Sequence, residues 1–446
     1  MSVRRIIIVE SKKEEKHMKW WHLSLFGIGC TIGTGFFLGT SVGIQHGGPS
    51  IVLAIVLAGI VTYIVFDALA KLTASHPEKG AFRTYAKQAY GHWAGFSVGW
   101  IYWFSEILIM GSQLTALSIF SRFWFPNIPL WLFALGYAVL GLLVLLLGAK
   151  KLSQIENIFA VMKVAAIMMF ILLAGAFVFG LMDGVKQLHI PSNLDAFFPT
   201  GWMGFWASLI FAFYAFGGIE VMGLMAVQLK QPKEAPKSGK VMILSLVTIY
   251  VISLALALVL VPWDEFNTEK SPFIIALKDF DLGFVPHIIN GALIIAGFST
   301  MVASFYGVTT ILVSLAEDGD APSFFAREGK LAVPIPSLVL LIIGIAVSIV
   351  MSLVLPDKIY TYITTAAGLM LLYNWLFIIL SARKLMKVPQ KAQLKYYAGI
   401  LLLIAGVSGT LINQTNRPGF LISLVIIGLI GIVVLFMNKK WKKEPQ

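Results

Sequence analysis

Apolar runs long enough to cross a bilayer recur along the whole 446-residue chain, and no other feature restricts its fold so tightly. A bilayer core about 30 Å thick takes about 20 apolar residues of helix. In lipid only helices and closed barrels satisfy their own backbone groups. The runs lie near 20–44, 50–70, 94–119, 129–148, 158–181 and 201–226, then near 241–262, 284–315, 334–355, 359–382, 396–413 and 418–437. They predict an all-α polytopic membrane protein with twelve transmembrane helices, the 284–315 run carrying an exposed extension. Composition agrees, at 58% apolar and 13% charged residues, where a soluble domain averages about 45–50% and about 25%. A soluble enzyme, a disordered chain and a coiled coil are excluded.

Charge fixes the orientation. The net charge of +12 could indicate a polyanionic partner such as nucleic acid. Placed on the spans with the N-terminus inside, however, 27 of the 34 cations fall on the cytosolic side and six outside, from Arg122 to Arg417. The positive-inside rule therefore puts both termini in the cytosol. The external stretch Trp263–Asp281 has an acidic surplus. Trp20, Trp21, Trp93, Trp124, Trp202 and Trp263 fall near span ends as interfacial anchors. The expected location is the cell membrane, with the bilayer as partner and no nucleic acid. The basic stretches Lys230–Lys240 and Lys439–Lys443 enforce topology rather than bind a specific lipid.

Several chemistries are absent. The single Cys30 allows no internal disulfide and no C-x-x-C motif. The first run is too long for a signal peptide and lacks a cleavage site, so it is expected to remain as a helix. There is no phosphate-binding G-x-x-x-x-G-K-[ST] of a pump. The seven His are scattered and form no H-E-x-x-H, so no metal site, cofactor or enzyme is expected. No filter loop or ring of like charge suggests a channel. A transporter should instead carry broken helices at matching places in two halves.

The chain has such a pair. Gly33-Thr34-Gly35 lies midway along the first run, where glycine is costly unless the freed backbone groups find partners. A zwitterion supplies them, its carboxylate on NH groups at the start of the outer half-helix and its ammonium on carbonyls of the inner half. Helix packing through Gly29/Gly33 and Gly35/Gly39/Gly43 also accounts for the first break. The sixth run repeats it, as Phe213-Tyr214-Ala215-Phe216-Gly217-Gly218-Ile219-Glu220. If spans one to five form a unit, the odd count makes the sixth start outside, so the two breaks become first members of inverted repeats.

The first span's G-x-x-x-G-T-G-x-F core resembles amino acid permeases of the amino acid–polyamine–organocation (APC) superfamily, as does Gly47-Gly48-Pro49. Further matches are Gly80-Ala81-Phe82 with Tyr85-Ala86, Gly99-Trp100-Ile101-Tyr102-Trp103, the sixth-span Phe-x-Gly-Gly-x-Glu, Pro232 with Pro236, and Leu315-Ala316 through Gly319, Ala321 and Pro322. Within the superfamily the chain is most similar to bacterial proton-coupled permeases. It departs from them at Gln228, where relatives commonly have Glu, and at Glu106, where they tend to have a neutral or aromatic residue.

The resemblance implies a LeuT-like five-plus-five inverted repeat with broken first and sixth helices and two C-terminal helices. Its parts would be a cytosolic segment 1–19, repeat one over 20–181, repeat two over 201–383, a final helix pair over 395–438 and a basic tail 439–446. Carried over by motif, Gly33, Thr34 and Gly35 would bind the substrate carboxylate, and carbonyls of Thr31, Tyr214, Ala215 and Gly217 the ammonium. Tyr214 would close over the substrate as a gate, although an ordinary core aromatic has the same signature. Lys163 would stand where other members bind sodium, reaching Ser299 and Thr300 of the eighth span. A buried lysine can shed its proton near neutral pH, which would make the proton the coupling ion. From position alone, snorkelling to the cytosolic face explains Lys163 equally well. Of the other intramembrane acids, Glu220 would steady the second break. Glu106 could be a hydrogen-bond donor, a proton relay or a counter-charge. Asp67, near the cytosolic end of span two, is expected to face water or a Lys.

The expectation is a secondary amino acid transporter working by alternating access with proton symport, and with no obligatory protein partner. Pocket walls rich in Ile, Met, Phe and Gly point to a neutral, hydrophobic, aliphatic or aromatic substrate. A cationic amino acid permease, an exchanger, and a sensor or channel on the same scaffold are the alternatives.

Overall fold

The structure, a computed structural model, describes residues 18–441 apart from 186, 281, 328, 330, 332, 355–358 and 388. Most of the expected cytosolic segment 1–19, the tail from 442, and the loop charges Lys186, Asp281, Lys330 and Lys358 lie outside the described residues. Helix is the regular structure throughout the described residues, apart from one bridge between Met18 and Leu229.

The chain opens with α1 (Trp20–Thr31), a π-helical turn (Gly35–Gly39) and α2 (Thr40–Gly47). Then come α3 (Ile51–Ser75), the short amphipathic α4 (Phe82–Tyr90), α5 (His92–Arg122), α6 (Leu130–Leu145) and α7 (Ala149–Val178). After the one-turn α8 (Leu194–Phe197), α9 (Gly201–Tyr214) and α10 (Ile219–Met225) again share one interrupted path. The rest is α11 (Ala235–Leu260), the short α12 (Pro272–Ala276), α13 (Val285–Glu317), α14 (Ile335–Val354), α15 (Ile359–Leu385), α16 (Gln390–Gly409) and α17 (Arg417–Trp441). Among the described residues eight helical segments are long and apolar enough to cross a membrane, and two apolar helices are shorter.

Burial sorts these helices into a core and a rim. α5 packs most extensively on α13 and α15, and its side chains are buried along nearly its whole length. α1 is surrounded by α7, α10, α11 and α13, while α2 lies along α9. α17 by contrast exposes Leu421, Val425, Leu429, Leu435 and Phe436, and α7 exposes Ile158, Val161 and Leu172. Water does not tolerate apolar faces of that extent on a soluble monomer. They are the lipid-facing surface of a multi-pass membrane protein.

Two interruptions place backbone in the centre of this bundle. α1 ends where Ile32 turns extended, with φ −71° and ψ 100°. The chain resumes helix only through the π-turn, whose first NH bonds, from Phe36 and Phe37, both go to the Gly33 carbonyl. α9 and α10 are separated by Gly218 at φ +110°, a conformation that L side chains rarely adopt. The breaks touch: a Cβ on Gly218 would lie 2.5 Å from the Cys30 carbonyl oxygen.

Candidate functional site

Between the two breaks lies a cavity of about 30 Å³, room for a water or two and below the about 300–1,000 Å³ of small-molecule sites, so a bound amino acid requires the surrounding side chains to move apart. Its wall comprises Cys30, Thr31, Gly33, Thr34 and Gly35 from the first break, Tyr214, Gly217 and Gly218 from the second, Glu106, Ile109 and Gln113 from α5, and Thr300 and Ser304 from α13. Glycine is required where the wall is thinnest, since a Cβ on Gly33 would meet the Thr300 side chain at 2.5 Å.

The wall carries hydrogen-bonding capacity that the protein itself does not use. The Gly33 and Thr34 NH groups have no protein acceptor among the described residues. Thr31 Oγ1, Thr34 Oγ1 and Gln113 Oε1 are buried without a partner among the described residues. Each such group costs about 1–3 kcal/mol when left unpaired in the interior. A small zwitterion offers both the acceptors and the donors that these groups lack.

The carbonyls differ from one another. The Tyr250 hydroxyl donates to Ala215 O at 3.2 Å and lies 3.5 Å from Thr31 O, and the Gly217 NH donates to Tyr214 O at 3.1 Å. Ala215 is not on the cavity wall, so of the four expected ammonium ligands Thr31, Tyr214 and Gly217 line the cavity and Ala215 stands behind it. The Tyr214 ring covers Gly35 and Gly39, and its hydroxyl bonds to Ser112 at 2.6 Å. The Tyr360 hydroxyl donates to Thr34 O at 3.2 Å beside it. Beyond Tyr360 a wide cleft opens, lined by Arg122, Glu269, Lys270 and Ser271. A second cleft, lined by Lys79, Gly148, Gln228, Glu317 and Pro334, opens at the other end of the bundle.

Lys163 is wholly buried on α7. It donates to the Gly29 carbonyl of α1 at 2.5 Å and to Ser299 Oγ of α13 at 2.7 Å. Thr300, the other expected contact, instead turns its hydroxyl back to its own helix at Ala296 and Gly297 and presents its side chain to Gly33. Ser299 in turn donates to Glu156 Oε2 at 2.5 Å. Glu220 accepts from the Gly218 NH at 3.0 Å and from Trp375 Nε1, so it ties the second break to α15. Glu106 is buried on the wall beside the hydroxyls of Ser304 and Tyr102. Asp67 pairs with Lys71 at 2.8 Å and Lys395 at 2.6 Å.

The sequence pattern of the family described as Amino acid permease matches residues 22–445. The chain belongs to that family. It is 52% identical over 435 residues to the uncharacterized transporter YcgH of Bacillus subtilis (strain 168), covering 97% of each chain. It is 28% identical over 446 residues to the gamma-aminobutyric acid permease of the same organism, covering 96% of this chain and 95% of the relative. To the aromatic amino acid transport protein AroP of Escherichia coli (strain K12) it is 28% identical over 442 residues, covering 96% of each. As an amino acid permease the chain is a transporter and not an enzyme, and its substrate class is amino acids.

Three features of this permease were not singled out from its sequence. Glu156 precedes the apolar run that begins at 158, yet it lies inside α7, which already begins at Ala149. Tyr250 and Tyr360, which donate to carbonyls of the broken backbone, and Trp375, which donates to the Glu220 carboxylate, have no local motif to mark them. The cavity wall is also more polar than expected, with Ile109 as its one large aliphatic side chain.

Proposed function

We propose that this permease is a secondary active transporter that moves a small neutral amino acid together with a proton by alternating access. The observation that carries the proposal is the cavity between the apposed breaks, whose unpaired NH, hydroxyl and amide groups match a zwitterion. The carboxylate would take the Gly33–Gly35 region and the Thr34 hydroxyl, and the ammonium the carbonyl-rich side formed by Thr31, Tyr214 and Gly217. Tyr214 would be the gate, since with Tyr360 it stands between the cavity and one cleft. Lys163 would carry the coupling proton, because its bond to Gly29 links its charge to the half-helix that ends at the break.

The architecture proposed for this activity is twelve spans: α1 with α2, α3, α5, α6, α7, α9 with α10, α11, α13, α14, α15, α16 and α17. The first five and the next five would be inverted repeats, over 20–181 and 201–383, followed by the pair over 395–438. The 27-to-6 bias of the cations supports a cell-membrane orientation with both termini inside, and the two clefts sort with it. One is lined by the loops expected in the cytosol and the other by those expected outside.

Within the neutral class, a small side chain is favoured here over the hydrophobic aliphatic or aromatic one expected from span composition. Glu106, Gln113 and Ser304 supply polar side chains to the wall, and Ile109 with the Tyr214 ring supplies its apolar surface. Glu106 also supports a second reading, a cationic substrate with this carboxylate as counter-charge. Competition by all twenty amino acids against uptake in proteoliposomes tests both. Displacement by small neutral amino acids supports the first, displacement by Arg and Lys alone supports the second, and no displacement by any amino acid refutes both.

A further inference from the structure

We infer that Glu156 is a second proton-carrying group of this transporter, joined to Lys163 through the Ser299 hydroxyl, and that the coupling proton leaves Lys163 by this route. The inference rests on the proton-symport reading above and extends it from one residue to a relay.

Lys163 and Glu156 share α7 at a separation of seven residues, two helical turns or about 10 Å of rise. No ion pair joins them directly among the described residues. Ser299 of α13 spans the gap, accepting from Lys163 Nζ at 2.7 Å and donating to Glu156 Oε2 at 2.5 Å. All three side chains are completely buried. The hydroxyl is therefore oriented for a two-hop transfer. The Ser299 Oγ–H bond breaks as Glu156 Oε2–H forms, and a Lys163 N–H proton replaces the one that Ser299 has given up. The amine and the carboxylic acid end neutral, and Ser299 is unchanged.

The hop carries no net-charge penalty, since the summed charge of the pair is zero before and after it. One further observation favours a relay over a fixed ion pair. Glu156 Oε1 is buried and has no protein partner among the described residues, which leaves one oxygen free to pass the proton on. The direction follows from the helix. Glu156 lies about 10 Å and Lys163 about 21 Å of rise from Ala149. The preceding Gly148 lines the cleft expected to face the cytosol.

Few other groups compete for the proton. Of the helices packed on α7, α1 presents the Cys30 thiol to the pair and α13 presents Ser299. Among the described residues no charged group of α6 or α11 belongs to the electrostatic neighbours of Lys163 or Glu156.

The test uses the purified full-length protein in proteoliposomes and reads two quantities: substrate accumulation under an imposed pH gradient, and counterflow into substrate-loaded vesicles at equal pH. Wild type is measured first. Accumulation driven by sodium and not by the pH gradient would overturn the proton reading itself. If wild type is proton-driven, Glu156→Gln is expected to lower the ratio of pH-driven accumulation to counterflow by about tenfold or more. Ser299→Ala should lower the same ratio, and Glu156→Asp should recover part of it. An unchanged ratio in Glu156→Gln would overturn the relay while leaving Lys163 coupling intact. So would a loss of counterflow equal to the loss of accumulation in both Glu156→Gln and Ser299→Ala, because a merely structural role predicts that pattern.

Discussion

Gly218→Ala tests whether the contact between the two breaks is as close as described. Two costs add. Alanine at φ +110° sits where L residues lose about 1–2 kcal/mol. Its Cβ would also lie 2.5 Å from the Cys30 carbonyl oxygen and 3.0 Å from the Cys30 carbonyl carbon. These are backbone atoms that no rotamer change can move aside, so overpacking adds about 1–3 kcal/mol. The sum is roughly 2–5 kcal/mol, relieved only by moving α10 away from α1 and so reshaping the cavity wall. The expected outcome is a lowered thermal-unfolding midpoint in detergent and a raised KM for uptake. Gly136→Ala is the paired control, since it lies inside α6 with nothing within 4 Å of its Cβ. It should gain about 0.5–1 kcal/mol through helix propensity alone. A Gly218→Ala protein as stable and as active as wild type would refute the geometry of the breaks.

Three other substitutions follow from the same contacts. Lys163→Ala should abolish pH-driven uptake, and unchanged accumulation would remove its coupling role. Glu220→Ala leaves the Gly218 NH and Trp375 Nε1 buried and unpaired, at about 1–3 kcal/mol each, so unfolding should come at lower temperature; a midpoint equal to wild type would contradict this. Outside the membrane, Arg83 on α4 is buried against Asp318 at 2.6 Å and against Asp320, with Lys87 3.1 Å from Asp318. Burial pushes the Asp318 carboxyl up, but the bonds to Arg83 and Lys87 outweigh it and hold the group below its ordinary value. Its contribution to stability is then complete above the ordinary carboxylate range, near about 3.9, and lost as pH falls through the lowered value. Burial pushes Asp320 the other way, so its charged form depends on Arg83. Arg83→Ala should therefore destabilise by about 3–5 kcal/mol and speed hydrogen exchange in α4, whereas unchanged exchange would show that the cluster holds nothing in place.

The broken helices, their glycines and Lys163 were legible because each is a local violation. Glycine pairs and a lone cation stand out in runs of Leu, Ile and Phe. Glu156 was missed for the opposite reason. It sits in the polar first turns of α7, where sequence alone assigns an acid to water, and burial came from α1 and α13. Trp375 and Tyr250 satisfy carboxylate and carbonyl groups 155 and 35 residues away, pairings that no spacing rule contains. Pocket polarity is not legible from span composition, because few residues of each helix face the cavity. Of α5, for example, positions 106, 109 and 113, one face of the helix, meet the cavity.

The most direct test of coupled amino acid transport is uptake of a small neutral amino acid by the reconstituted protein, with a pH gradient acid outside and sodium absent. Accumulation above the equilibrium level, abolished when a protonophore collapses the gradient, is the predicted result. Equilibration to the same level with and without the gradient would contradict it.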